Sequence, residues 1–115
     1  MGRQLKILFA SDDLARSCND DSVRTERYGP ALAATIRRRL CEVNAVTHLG
    51  ELRRLPGARL RRHPARNDGS MLISLGPAAD FLVHPRDDPP PTLLDGGLDE
   101  ARVRTLVVLA IAIAS

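Results

Sequence analysis

The sequence is poor in aromatic residues: Phe9, Tyr28 and Phe81 are the complete set, and tryptophan is absent. That scarcity argues against a module that stacks successive bases of a single strand on aromatic rings. Lysine is nearly missing too. Of 17 basic residues only Lys6 is a lysine and 16 are arginine. Two cysteines, Cys18 and Cys41, make neither a disulfide framework nor a metal site, so no metal or cofactor is expected and a reducing cytoplasm is the default. The longest apolar run, Leu106 to Ala114, is half the roughly 20 residues that a membrane span requires. No basic-then-apolar leader with a small-residue cleavage site opens the chain, so neither export nor a membrane partner is expected.

What is present fits one globular domain spanning residues 1–115. Apolar residues make up 43% and charged residues 27%, and a chain of this size buries roughly 65% of its unfolded surface without staples. The net charge of +3 hides the arginine skew. A GC-rich genome alone would enrich arginine and alanine. As chemistry, however, arginine is the better fork for phosphate and the better stacker on bases, which permits a nucleic-acid partner.

Residues Arg3 to Ala10 read as a strand. Ser11 followed by Asp12 and Asp13 reads as the cap and acidic first turn of a short helix running to about Arg16, with a turn over Asn19 to Ser22. The clearest helix is Thr25 to Val46, where Leu32, Ile36, Leu40 and Val43 form one stripe and Arg37, Arg38 and Arg39 cover its flanks. Pro30 sits early in it, where a missing donor costs little. One more helical turn is expected within Thr47 to Leu55, closed by Pro56 and Gly57.

Strands follow. Ala58 to His63 is a candidate, then a hairpin signal at Asn67, Asp68, Gly69 and Ser70. Ser70 to Leu75 has Met71, Ile73 and Leu75 alternating inward, and Asp80 to His84 has Phe81 and Val83 on one face. Pro85 to Gly97 is a loop. Val103 to Ile113 is apolar on both faces and must be a central strand. The expected class is α+β: helices on one face of a mostly antiparallel sheet of four or five strands, with an open, arginine-bearing face opposite.

Several features in order resemble one family. They are Tyr28-Gly29 and Arg39-Leu40 on the helix, LRRLPGAR from Leu52 to Arg59, a strand ending in Pro85, Asp87-Asp88-Pro89, Gly96-Gly97-Leu98-Asp99, and a last apolar strand with Val103. Together they resemble the HigB/RelE-type toxins of bacterial toxin–antitoxin systems, over nearly the whole chain. The resemblance implies a RelE-like fold and a ribosome-dependent mRNA endonuclease. It also implies partners: ribosome and mRNA, and an antitoxin, usually of helix-turn-helix type, held in a hetero-oligomer.

Metal-free RNA cleavage needs a base for the 2′-hydroxyl, an acid for the leaving 5′-oxygen and cations for the charged transition state. The candidate catalytic residues are therefore His63, in an arginine-rich run, and His84, at the end of a strand. His48, near a helix start, reads as a cap or a solvent-facing residue. In the family a histidine and a lysine commonly precede the hairpin; His63 or Arg61 matches that histidine, depending on a two-residue shift. Arg59, Arg61, Arg62 and Arg66 are the candidate RNA-binding residues: four cations in eight positions repel one another unless a polyanion or solvent takes them up. A strand would place Arg59 and Arg61 on one face and Arg62 on the other.

The chain departs from the family pattern twice. Ala79 and Asp80 stand where the family has an aromatic and a phosphate-contacting arginine, and Ile113, Ala114 and Ser115 stand where it has an acid, a tyrosine and a histidine. Three readings follow: an mRNA-cleaving toxin with weakened activity, a catalytically silent RelE-fold module that binds antitoxin or RNA, and a gyrase-directed toxin on the related ParE scaffold.

Overall fold

The computed structural model describes residues 4–66, 69–86 and 90–113. Strand β1 (Lys6–Phe9) leads into helix α1 (Asp12–Asn19) through Ser11, whose hydroxyl accepts the Leu14 amide at 3.1 Å. The helix runs three residues beyond Arg16. Asp20 alone forms the joint to α2 (Asp21–Ala45), and its carboxylate accepts the Ser22 and Val23 amides as an N-cap.

Helix α2 starts earlier than Thr25 because it is two segments joined at Gly29, whose φ of +81° and ψ of 160° interrupt the helix. Pro30 thus opens the second segment, where its fixed φ suits the helix and its missing N–H breaks no bond. The expected stripe packs inward: Ile36 and Val43 are fully buried, and Leu32 and Leu40 lie against the core. The arginine triplet divides. Arg37 and Arg38 are exposed, but Arg39 is 5% exposed, donates from Nε to the Ser74 carbonyl at 2.8 Å and pairs with Glu42. It bolts α2 to the sheet instead of covering a flank.

After the short helix α3 (Leu49–Leu52), strands β2 (Arg61–Arg62), β3 (Met71–Ser74), β4 (Ala79–Pro85) and β5 (Thr105–Ile113) complete a five-stranded sheet in the order β1-β5-β4-β3-β2. All pairs are antiparallel except β1 with β5. Strand β5 has a neighbour on each side, as its two apolar faces require. Among the described residues the architecture is α+β, with three helices and an open, mostly antiparallel sheet. No described helix is long and apolar enough to cross a membrane.

One face of the sheet presents Met71, Ile73, Phe81, Val83, Leu106 and Val108, and these cluster with Cys18, Ile36, Val43, Leu49 and Leu52 from the three helices. Burying each large member contributes about 1.5–3 kcal/mol. The opposite face carries Leu72 and Leu82 in the middle, Asp80 toward one end, and Leu8, Val107 and His84 toward the other. It is an apolar floor with polar ends. The face was expected to bear arginine; of the strand arginines, Arg61 lies on it, at the β2 edge.

Candidate nucleic-acid interface

Strand β2 is shorter than the expected Ala58–His63 because Arg59 takes a φ of +45°, which breaks strand alternation. Its neighbours hold that geometry. The Ser74 amide donates to the Ala58 carbonyl at 2.7 Å, and Arg61 Nη1 donates to the Arg59 carbonyl at 3.1 Å. From the helix side, Arg53 Nη1 reaches the Leu60 carbonyl at 3.3 Å, while its Nε and Nη2 fork onto Glu100 at 2.7 and 2.6 Å. That hydrogen-bonded carboxylate pushes the Arg53 pKa up, so its charge is secure.

Register then sorts the arginines. Arg61 lies opposite Leu72 and therefore on the open face; Arg62 lies opposite Met71 and so on the core side. This is the expected division of those two, with Arg59 removed from it by its backbone. Arg61 Nη2 donates to the Asp80 carboxylate at 2.9 Å, so the acid on β4 neutralises this cation. Arg62 is exposed and has no hydrogen-bonding or ionic partner among the described residues. Arg66 is exposed and is engaged by a partner of its own.

The two candidate histidines come together at one end of the open face. The His63 amide donates to the Ser70 carbonyl at 3.0 Å, extending the β2–β3 ladder and returning His63 to the face of Arg61. Extending the β3–β4 register from Met71↔Val83 sets Ser70 beside His84. The histidines thus flank Ser70 on two strands that are two spacings, about 9.5 Å, apart. A Cβ built on Gly69 would stand 3.8 Å from His84 Nε2, so the ring lies over that glycine.

Their hydrogen bonds give the rings opposite tautomers. His63 Nδ1 accepts the Ala65 amide at 3.1 Å, which puts the proton of the neutral ring on Nε2. His84 Nδ1 lies 2.6 Å from the Pro85 carbonyl, which can only accept, so Nδ1 donates and Nε2 of the neutral ring carries the lone pair. One ring presents a donor and the other an acceptor. His48 lies elsewhere, at the start of α3, with Nε2 3.5 Å from Glu51. No group of three or more potential metal ligands occurs among the described residues.

A cavity of about 390 Å³ adjoins this end of the sheet. Met71, Pro90 and Leu98 supply its apolar walls, and Arg62 and Thr92 its polar groups. Sequence reading missed Thr92 and Leu98, because only the pairing of Thr92 with Leu98 folds that loop back toward the hairpin. The residues Asn67 and Asp68 of the hairpin signal, the Asp87-Asp88-Pro89 segment, and Ala114 and Ser115 lie outside the described residues.

Compared with protein-family models, curated proteins and solved structures, the chain matches none.

Proposed function

We propose that this protein is a HigB/RelE-like toxin with a RelE-like fold, cleaving ribosome-bound mRNA without a metal. The observation that carries the reading is the pair of imidazoles flanking Ser70 with complementary proton positions. His84 Nε2 takes the proton of a ribose 2′-hydroxyl, whose oxygen attacks the adjacent phosphorus. His63 Nε2–H donates a hydrogen bond to the departing 5′-oxygen, which takes its proton from solvent water. The products are a 2′,3′-cyclic phosphate and a free 5′-hydroxyl. Arg59, exposed beside β2, holds the flanking backbone. The protein works on the ribosome and is silenced by an antitoxin that covers this face.

A second reading has its own support. Asp80 cancels Arg61 on the open face, which weakens phosphate binding there and favours a module that binds without cutting.

Purified protein added to a reconstituted translation reaction separates these readings. Cleavage predicts arrest and new message 5′ ends, mapped by primer extension on ribosome-bound mRNA. Both will be lost in His84→Ala, by about 10²–10⁴-fold in rate. Arrest without new ends supports the silent module. Undiminished translation by folded protein overturns both, and inhibited gyrase supercoiling in that case moves the target to a protein.

A further inference from the structure

Resting on the RNA-cleaving reading, we propose that the 390 Å³ cavity at the hairpin end of the sheet is a purine pocket that reads guanine through Arg62. Its size falls within the range of about 300–1,000 Å³ usual for small-molecule sites. Its chemistry is asymmetric. Met71, Pro90 and Leu98 form apolar walls suited to the flat faces of a heteroaromatic ring, while a single guanidinium supplies charge. A phosphate alone would leave those three walls against a solvated anion, whereas a base satisfies both parts. No acidic residue lines the cavity among the described residues, and none of those pairs with Arg62 as Asp80 does with Arg61.

The guanidinium fork matches the paired acceptors O6 and N7 of guanine; adenine offers a donor at N6 where Arg62 would need an acceptor. The far wall is pre-formed. Leu93 N donates to the Gly97 carbonyl at 2.7 Å, Gly96 N to the Leu93 carbonyl at 3.0 Å, and Asp99 N to the Pro91 carbonyl at 2.9 Å. A ligand therefore meets a wall already ordered, at little entropic cost. Gly69 joins the cavity to the catalytic end, because it lines the former and lies under the His84 ring of the latter. An RNA strand that crosses the hairpin edge at Gly69 carries one nucleotide to the Arg62 side and its neighbour to the face of the histidines. The cavity thus selects where the message is cut.

The test is titration of the 15N-labelled protein with 5′-GMP, 5′-AMP, 5′-CMP, 5′-UMP and ribose 5-phosphate, following the Gly69, Gly96 and Gly97 amides. GMP is expected to move these amides and to bind about tenfold more tightly than AMP, the discrimination of one bidentate pair. Arg62→Ala will lose that preference, and Leu98→Trp, filling the cavity, will lose binding; an unchanged amide spectrum elsewhere shows that each variant is folded. Equal shifts by ribose 5-phosphate, equal binding of all four nucleotides, or no shift at all overturns the pocket. Guanine binding by a protein that fails to arrest translation leaves the pocket standing and removes the toxin reading. Arrest without guanine binding does the reverse.

Discussion

Arg61 on β2 and Asp80 on β4 pair at 2.9 Å across the intervening strand β3. Both are partly solvated, so the pair contributes about 0–1 kcal/mol to stability. Its larger consequence is electrostatic, because it removes one cation from the proposed RNA-facing edge. Asp80→Asn will leave the urea midpoint nearly unchanged and release Arg61. RNA affinity should rise, and the dependence of log K on log salt should steepen by about 0.7, one extra contact to a single-stranded phosphate. Filter binding across a salt series checks this; an unchanged slope would mean that Arg61 does not face RNA.

Arg59 is the one non-glycine residue with positive φ among those described. A left-handed backbone costs an ordinary residue about 1–2 kcal/mol, and the same geometry is free to glycine. Arg59→Gly should therefore raise stability, by less than that figure because glycine also loosens the unfolded chain. RNA binding and message cleavage should fall at the same time. Chemical denaturation and the translation assay, run on one preparation, read the two effects. A variant that loses stability without losing activity would show that Arg59 is placed for packing.

These two residues also show what was legible beforehand. Periodicity gave the helix stripe around Ile36, the inward alternation of Ile73 and Phe81, and the central position of the last strand, because burial of apolar side chains dictates all three. The Ser11 cap was legible because its chemistry is local. Backbone breaks were harder: Gly29 was submerged in a continuous helical pattern, and Arg59 has no residue type that announces a positive φ. Long-range pairing was harder still. Burial of Arg39 under Ser74 and closure of Thr92 on Leu98 depend on partners far away in the chain, and nothing near those residues encodes them. For the candidate site, the histidines and arginines could be nominated by type and strand alternation parted Arg61 from Arg62, but only strand register brought His63 to His84.

Gly29 occupies a backbone region that is essentially glycine's own, and space is not the obstacle: an added Cβ would meet nothing within 4 Å. The cost of substitution is therefore conformational. Gly29→Ala should destabilise the fold by about 1–3 kcal/mol, read as a lowered urea midpoint at unchanged m-value. A neutral result would mean that α2 runs straight through Pro30.

The α1–α2 pair should be sensitive to acid. Arg27 hydrogen-bonded to Asp13, and the Val23 amide with the Ser22 hydroxyl on Asp20, hold both carboxyls below the ordinary aspartate value of 3.8. The unfolded chain binds these protons more readily than the folded one. Their contribution is thus complete above pH 3.8 and is lost as pH falls through the lowered folded values. The Asp13→Asn, Asp20→Asn double variant should be less stable at neutral pH and lose less on acidification, while its asparagine still caps α2. Denaturation midpoints followed downward from neutrality check this; parallel profiles for both proteins would exclude these two carboxylates as the source.

The cysteines should behave as two unlike free thiols. Cys18 is buried in the core and burial pushes its thiol pKa up, away from the reactive thiolate, whereas Cys41 is exposed on α2. Reaction with an aromatic disulfide reagent should therefore modify one thiol promptly in the native protein and the second only after denaturant is added. The rate of the slow thiol then reports how often α1 lifts from the sheet, since Cys18 cannot react without that opening. Adding urea below the midpoint should accelerate it while leaving Cys41 unaffected. Prompt modification of both thiols in native buffer would place α1 off the core, and with it the packing that sets β1 beside β5.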